Sequence, residues 1–131
     1  TSALIFSSGK IVCTGARTME QVELSIQSII KSLKKLNIHV TIKPIITVQN
    51  IVASGSIGMA LNLNVLGLKL PNTEYEPEQF PGLVHKLKGT SATFLLFSNG
   101  KIVCTGTKTE QEVNEATDLL IERLKKVLEK P

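Results

Sequence analysis

The chain has 131 residues, 42% of them hydrophobic and 20% charged, enough to bury one sizeable core and too apolar for a disordered segment. Fifteen Lys and Arg against eleven Asp and Glu leave a net charge of +4, which permits an acidic partner without demanding one. No apolar run approaches the roughly 18 residues of a membrane span, and two cysteines and two histidines far apart in sequence offer no metal-ligand spacing.

The start, Thr1-Ser2-Ala3-Leu4, has neither an initiator Met nor a basic targeting region and reads as a point inside a longer chain. Apolar runs near residues 2–8 and 10–15 flank Ser8-Gly9 and predict a hairpin. Thr18-Met19-Glu20-Gln21 then opens a helix as a capping box, and Val22, Ile26, Ile29, Ile30 and Leu33 follow at helical spacing. His39 falls in a linker. Residues 45–54 are β-branched and strand-like, residues 62–70 predict a short helix capped by Asn62, and residues 83–88 predict another strand. A second hairpin is expected over residues 91–99 and 101–106 around Asn99-Gly100, a type I′ turn signal. Thr109-Glu110-Gln111-Glu112 caps the last helix, whose apolar stripe is Val113, Ala116, Leu120, Leu124 and Val127.

The two hairpins are one unit repeated. Leu-Ile-Phe-Ser-Ser-Gly-Lys-Ile-Val-Cys-Thr-Gly at residues 4–15 returns as Leu-Leu-Phe-Ser-Asn-Gly-Lys-Ile-Val-Cys-Thr-Gly at residues 95–106, an offset of 91 that continues without a gap to the paired lysines 34, 35 and 125, 126. A chain of 131 holds less than two such periods, so residues 1–40 form a partial first repeat and 41–131 a complete second one, together expected to make one domain. The predicted order is β-β-α, then β-α-β-β-β-α, an α+β fold.

Side chains alternate across a strand, and here both faces are apolar. Ile5, Ile11 and Cys13 oppose Leu4, Phe6, Val12 and Thr14; Phe94 and Leu96 oppose Leu95 and Phe97; Ile51 and Ala53 oppose Asn50, Val52 and Ser54. Two long helices and a short one cover one face of such a sheet, which leaves an apolar face for a ligand or a second sheet. From residue 79 to 109 the charges are Lys86, Lys88, Lys101 and Lys108 with no acid, and from 1 to 19 they are Lys10 and Arg17. An apolar field with a cationic rim suits a groove with phosphate walls. On residues alone, Phe6 and Phe97 stay open between core and exposed face, Asn50 between groove contact and strand terminator, and the lysines between phosphate contacts and plain solvation. Cys13 and Cys104 are expected as buried inert thiols, Phe94 as core, and His85 as a sheet residue facing the helices. No catalytic arrangement of Ser, His, Cys or paired carboxylates is discernible.

Gln49-Asn50-Ile51-Val52-Ala53-Ser54, Glu74-Tyr75-Glu76-Pro77-Glu78-Gln79-Phe80-Pro81-Gly82-Leu83 and the doubled Phe-Ser-(Ser/Asn)-Gly-Lys-Ile-Val-Cys-Thr-Gly together resemble the core of the TATA-box-binding proteins of archaeal type, over essentially the whole chain. The resemblance implies a saddle-shaped curved antiparallel sheet with helices on its convex face and DNA against its concave face. It implies wedge roles for Phe80, Phe97 and Phe6, with no position for a fourth phenylalanine. Groove-floor contacts would be Asn50, Val52, Leu95, Val103 and Thr105, with Leu4, Val12 and Thr14 as repeat mates. Phosphate contacts would be Lys10, Arg17, Lys86, Lys101 and Lys108. Glu76, Glu78 and Gln79 would form the loop that engages a transcription factor B-type initiation factor, and through it, indirectly, the RNA polymerase machinery. It implies a non-enzymatic initiation factor for TATA-like double-stranded DNA, with no cofactor and no membrane, in the archaeal nucleoid or, in a eukaryote, the nucleus.

The chain departs from the family pattern in lacking the opening strand, short helix and first acidic loop of the first repeat, which leaves the strand at 45–54 without its usual neighbour. The alternatives are therefore a truncated saddle that forms a homodimer through its sheet or open edge without bending DNA, or a substrate-binding module of a nucleic-acid enzyme.

Overall fold

Each hairpin is closed by the same short hydrogen-bonded loop. In the computed structural model, which describes residues 1–129, the Phe6 N–H donates to the Lys10 carbonyl at 2.9 Å and the Gly9 N–H to that of Phe6 at 3.0 Å; Phe97, Lys101 and Gly100 repeat the pattern at 3.0 and 2.9 Å. Gly9 and Gly100 have φ of +91° and +87°, but Ser8 and Asn99 do not have positive φ. The loops therefore have three residues with glycine in the left-handed position, and the type I′ expectation is corrected: that turn needs two successive residues at positive φ. The strands entering the loops, at residues 2–5 and 93–96, correspondingly stop short of the apolar runs at 2–8 and 91–99.

Two compact units form, Thr1–Ile46 and a second from Thr47 onward. The first holds β1 (Ser2–Ile5), β2 (Ile11–Thr14) and α1 (Met19–Lys35). β1 and β2 pair antiparallel with Leu4 opposite Val12 and Ala3 opposite Cys13. Thr18 caps α1 by accepting from the Gln21 N–H at 3.1 Å, and the Gln21 side chain accepts in turn from the Arg17 N–H at 2.8 Å. One helix on two strands covers little. Ile26 is buried, Ile11 and Cys13 are half-buried, and Ile5, expected under the helix, is 57% exposed. The expectation of a buried thiol is corrected for Cys13.

The second unit holds β3 (Ile51–Ser56), α2 (Leu63–Lys69), β4 (Thr73–Glu74), β5 (Leu83–Lys86), β6 (Thr93–Leu96), β7 (Lys101–Thr107) and α3 (Glu110–Glu129), with the strands in the order β3-β7-β6-β5-β4. β4 is an addition to the predicted order, too short to show an apolar period. β3 begins six residues later than expected. Its ladder starts at Ile51 opposite Thr107, and beyond Thr107 the chain leaves the sheet for α3, so residues 45–50 have nothing on β7 to pair with. Asn62 caps α2 by accepting from the Val65 N–H at 3.2 Å, and Thr109 caps α3 by accepting from the Glu112 N–H at 3.1 Å.

The core lies between this sheet and its two helices. Phe94, Leu96, Leu83, Leu66 and Leu120 are fully buried, drawn from β6, β5, α2 and α3, and each contributes about 1.5–3 kcal/mol of burial. Ala116 and Leu124 continue the α3 stripe. Among the described residues no helix is long and apolar enough to cross a membrane.

Candidate nucleic-acid interface

Core packing on one side of the second unit's sheet decides what stands on the other. Leu83 and His85, Phe94 and Leu96, and Ile102 and Cys104 are buried, so alternation puts Val84 and Lys86, Thr93 and Leu95, and Lys101, Val103 and Thr105 on the open face. The register lines them up. Val84 lies opposite Leu95, Leu95 opposite Val103 and Val103 opposite Ser54; Lys86, Thr93 and Thr105 form the adjoining row. Val52 is 64% exposed, while its neighbour Ala53 packs on the core. The candidates Val52, Leu95, Val103 and Thr105 thus share one strip with Lys86. Val84 and Thr93 belong to it too and were not anticipated, although alternation from Lys86 and Leu95 points to both; Ser54, expected on the face of Asn50 and Val52, completes the row opposite Val103.

Asn50 is fixed at the edge of this strip by a bulge. Ile51 pairs with Thr107 but Ala53 with Cys104, so β7 carries one extra residue there. Gly106 adopts φ of +88° in the bulge, and its N–H donates to Asn50 Oδ1 at 2.8 Å. A backbone donor on the oxygen leaves the amide NH2 as the free end, a donor group. The shift in register also turns Thr107 inward, where it is 1% exposed.

At one end of the strip the rings of Phe80 and Phe97 meet edge to face, their centroids 6.0 Å apart and their planes at 68°. Gly82 makes this possible: a Cβ there would come within 2.7 Å of Phe80 Cε2 and 3.0 Å of Phe97 Cε1. Phe80 is 40% exposed. It is held by a turn in which the N–H groups of Gln79 and Phe80 both donate to the Glu76 carbonyl at 2.9 Å. One turn therefore carries both the ring and the exposed side chains of Glu76, Glu78 and Gln79. A recess between β3 and β7 brings Phe97 together with Ser54, Ser56, Asn99 and Lys101. Lys108 stands outside the strip, at the junction of β7 and α3, its N–H donating to Glu112 Oε2 at 2.9 Å.

In the first unit the repeat mates take the same places. Leu4 lies opposite Val12 as Leu95 lies opposite Val103, and Ser2 opposite Thr14 as Thr93 opposite Thr105. Leu4, Phe6 and Val12 are 61%, 48% and 45% exposed. Lys10 and Arg17 are exposed beside them in sequence.

The thiols and imidazoles lie elsewhere. Cys104 is buried in the core, where burial pushes its pKa up and the Thr107 hydroxyl acts weakly in the opposite sense. His85 is buried facing the core side, and His39 is exposed between α1 and β3.

Fold and site together define an α+β protein with a repeated hairpin-and-helix unit, whose five-stranded sheet is covered by helices on one face and open on the other. Residues 1–36 and 45–127 match the family model of transcription factor TFIID, or TATA-binding protein. The chain is 50% identical over 123 residues to the TATA-box-binding protein of Thermococcus kodakarensis, covering 94% of this chain and 65% of that protein. It is 51% identical over 126 residues to that of Haloarcula marismortui, covering 95% and 68%. The solved structure of Methanococcus jannaschii TBP superposes with a TM-score of 0.87 at 44% identity, over 95% of this chain and 71% of that one. The chain belongs to the TATA-box-binding protein family and has its fold. It spans about two thirds of the length of these relatives.

Proposed function

We propose that this chain acts in a general transcription initiation factor that binds TATA-like promoter DNA in the minor groove through its open sheet faces, bends it with phenylalanine wedges and recruits a transcription factor B-type partner. The observation that carries the reading is the strip of small apolar, hydroxyl and amide groups ending in the Phe80–Phe97 pair. A·T pairs show only acceptors in the minor groove. The Asn50 NH2 and the hydroxyls of Thr93 and Thr105 are donors that match them, while Val52, Leu95 and Val103 lie flat against the groove and leave no room for the guanine amine.

In this reading Phe80 and Phe97 enter a base step together, and Phe6 enters one at the first unit. Unstacking costs roughly a few kcal/mol per step, a magnitude taken from minor-groove wedge proteins of which this family is the standard example. The pair is already assembled over Gly82, so no side-chain ordering has to accompany insertion. Lys10, Arg17, Lys86, Lys101 and Lys108 take the phosphates. Glu76, Glu78 and Gln79 face a basic surface of the factor B-type protein. The setting is the archaeal nucleoid.

The test is binding and end-to-end fluorescence transfer on a labelled duplex carrying a TATA-like site, against a G·C-rich duplex of equal length. Preferred binding with shortening of the end-to-end distance is the expected result; equal affinity for both duplexes refutes the reading. A second reading, an oligomerising module, is favoured by the first unit, where Leu4 on one hairpin face and Ile5 on the other are 61% and 57% exposed. Sedimentation of the free chain distinguishes them, because that module is a dimer without DNA.

A further inference from the structure

His85 takes no part in the interface. It is 1% exposed on β5, and among the described residues its Nδ1 and Nε2 are the buried side-chain polar atoms without a hydrogen-bond partner. A buried imidazole so placed has given up the hydrogen bonds it makes in water and received none in return.

Its surroundings come from both flanking strands, a turn and a helix. Thr73 of β4 lies opposite it on one side and Phe94 of β6 on the other, both uncharged. Arg123 of α3 is the charged group that acts on the ring, and its guanidinium is tied to the Lys88 carbonyl at 2.8 Å. The carbonyls of Pro71 and Asn72, in the turn between α2 and β4, lie near the ring without hydrogen-bond geometry, and that of Asn72 already accepts from the Lys86 N–H at 3.0 Å. This edge of the sheet is weakly built. β4 has two residues, and Asn72 before it sits at φ of +55°, a left-handed conformation sparse for residues other than glycine. The loop leading to Phe80 follows directly.

We propose that His85 is a pH-operated latch on this sheet edge: when its ring takes up a proton, β4 and the turn at Pro71 and Asn72 release β5 and free the loop that presents Phe80. A protonated ring has a second N–H donor and a positive charge near the Arg123 guanidinium, and the pull of the Pro71 and Asn72 carbonyls in the closed edge does not offset burial and that charge. Peeling away β4 admits water to both.

The direction of the effect follows from linkage. Burial is the largest cause and holds the His85 pKa below 6.5; the Pro71 carbonyl, next in size, pulls it up, the Arg123 charge lowers it again, and the Asn72 carbonyl adds the smallest upward pull. In the opened edge the ring is hydrated and titrates near 6.5. The closed edge therefore has its full advantage above about pH 6.5 and loses it as the pH falls through that value towards the closed-state pKa. The population of the open form rises as the pH falls from 7.5 to 5.0, by at most about 30-fold, the limit in which only the open form binds the proton.

Hydrogen exchange of the whole chain tests this. The Lys86 amide, held by the Asn72 carbonyl, reports the β4–β5 edge, and the Leu87 amide, held by the Ala92 carbonyl at 3.1 Å, reports the next connection. After correction for the intrinsic pH dependence of exchange, the opening constant at Lys86 is expected to rise from pH 7.5 to 5.0, by up to about 30-fold, while that at Leu87 stays level. In His85→Phe the rise at Lys86 should vanish. Opening at Lys86 that ignores pH, or that rises in step with Leu87, overturns the latch; the wild-type comparison decides even where the variant fails to fold. The consequence for DNA, an acid-weakened affinity for a TATA duplex that His85→Phe abolishes, rests on the interface proposed above. The exchange measurement contains no DNA, so failure of the latch and failure of that interface are read separately.

Discussion

Gly9 and Gly100, 91 residues apart, share a left-handed backbone, yet a Cβ would meet nothing within 4 Å at Gly9 and would run into the Met59 carbonyl at Gly100. The difference arises because residues 57–61 close over the second hairpin: the Ile57 N–H donates to the Gly100 carbonyl at 2.8 Å and the Leu61 N–H to that of Ser98 at 2.9 Å. Gly9→Ala should cost about 1–2 kcal/mol, the strain of a left-handed alanine. Gly100→Ala should cost about 1–2 kcal/mol more, since the overlying loop must shift and loosen those bonds. Urea unfolding of the two variants, with equal losses as the contrary outcome, checks it.

Replacing Phe80 and Phe97 together by Ala removes both rings over Gly82 but none of the lysines. Bending of a TATA duplex should fall strongly while the salt-dependent part of affinity is kept. An unchanged end-to-end distance by fluorescence transfer would remove the wedge assignment.

Asn50→Asp keeps the acceptor for the Gly106 N–H and exchanges the free NH2 for an anionic oxygen. Thermal unfolding should be nearly unaltered, while affinity for an A·T-rich duplex drops by at least the roughly 1–3 kcal/mol of one base contact. Equal loss on A·T-rich and G·C-rich duplexes would show that charge repulsion alone is being measured, and Asn50→Leu, which removes the donor without adding charge, separates the two.

Lys101→Ala and Lys108→Ala should each weaken binding to every sequence and reduce the slope of log affinity against log salt by about one. Lys101 shares a recess with Phe97, so its removal should also slightly reduce the bend; Lys108, outside the strip, should leave the bend alone. A loss restricted to TATA sequences would mean that these side chains read bases.

Glu76→Lys with Glu78→Lys reverses the charge of the turn that carries Phe80. DNA affinity should stay level or rise slightly, and the ternary complex with a factor B-type protein should be lost. Ternary complex formation at wild-type protein concentrations in a gel-shift titration would mark the turn as merely solvated.

Much of this protein is legible in its residues taken alone. The offset of 91 aligns Leu4 and Val12 with Leu95 and Val103, and the structure pairs each couple across its own hairpin. Such local features, the capping threonines 18 and 109 and the Asn62 cap among them, depend on neighbours within a few residues, so their pattern survives in a linear reading. Alternation separated Phe94 and Leu96 from Leu95 and Phe97 for the same reason. What tertiary structure decided involves partners far apart in the chain. The length of β3 depends on where β7 ends, the inward turn of Thr107 on a bulge between the two, and the free end of the Asn50 amide on a bond spanning 56 residues. Exposure of Ile5 reflects how little one helix covers, which no strand pattern records. His85 reads in sequence as one more sheet residue; only the packing of β4, β6 and α3 around it leaves a buried imidazole with nothing to bond, because satisfaction of a polar group is a property of the whole enclosure.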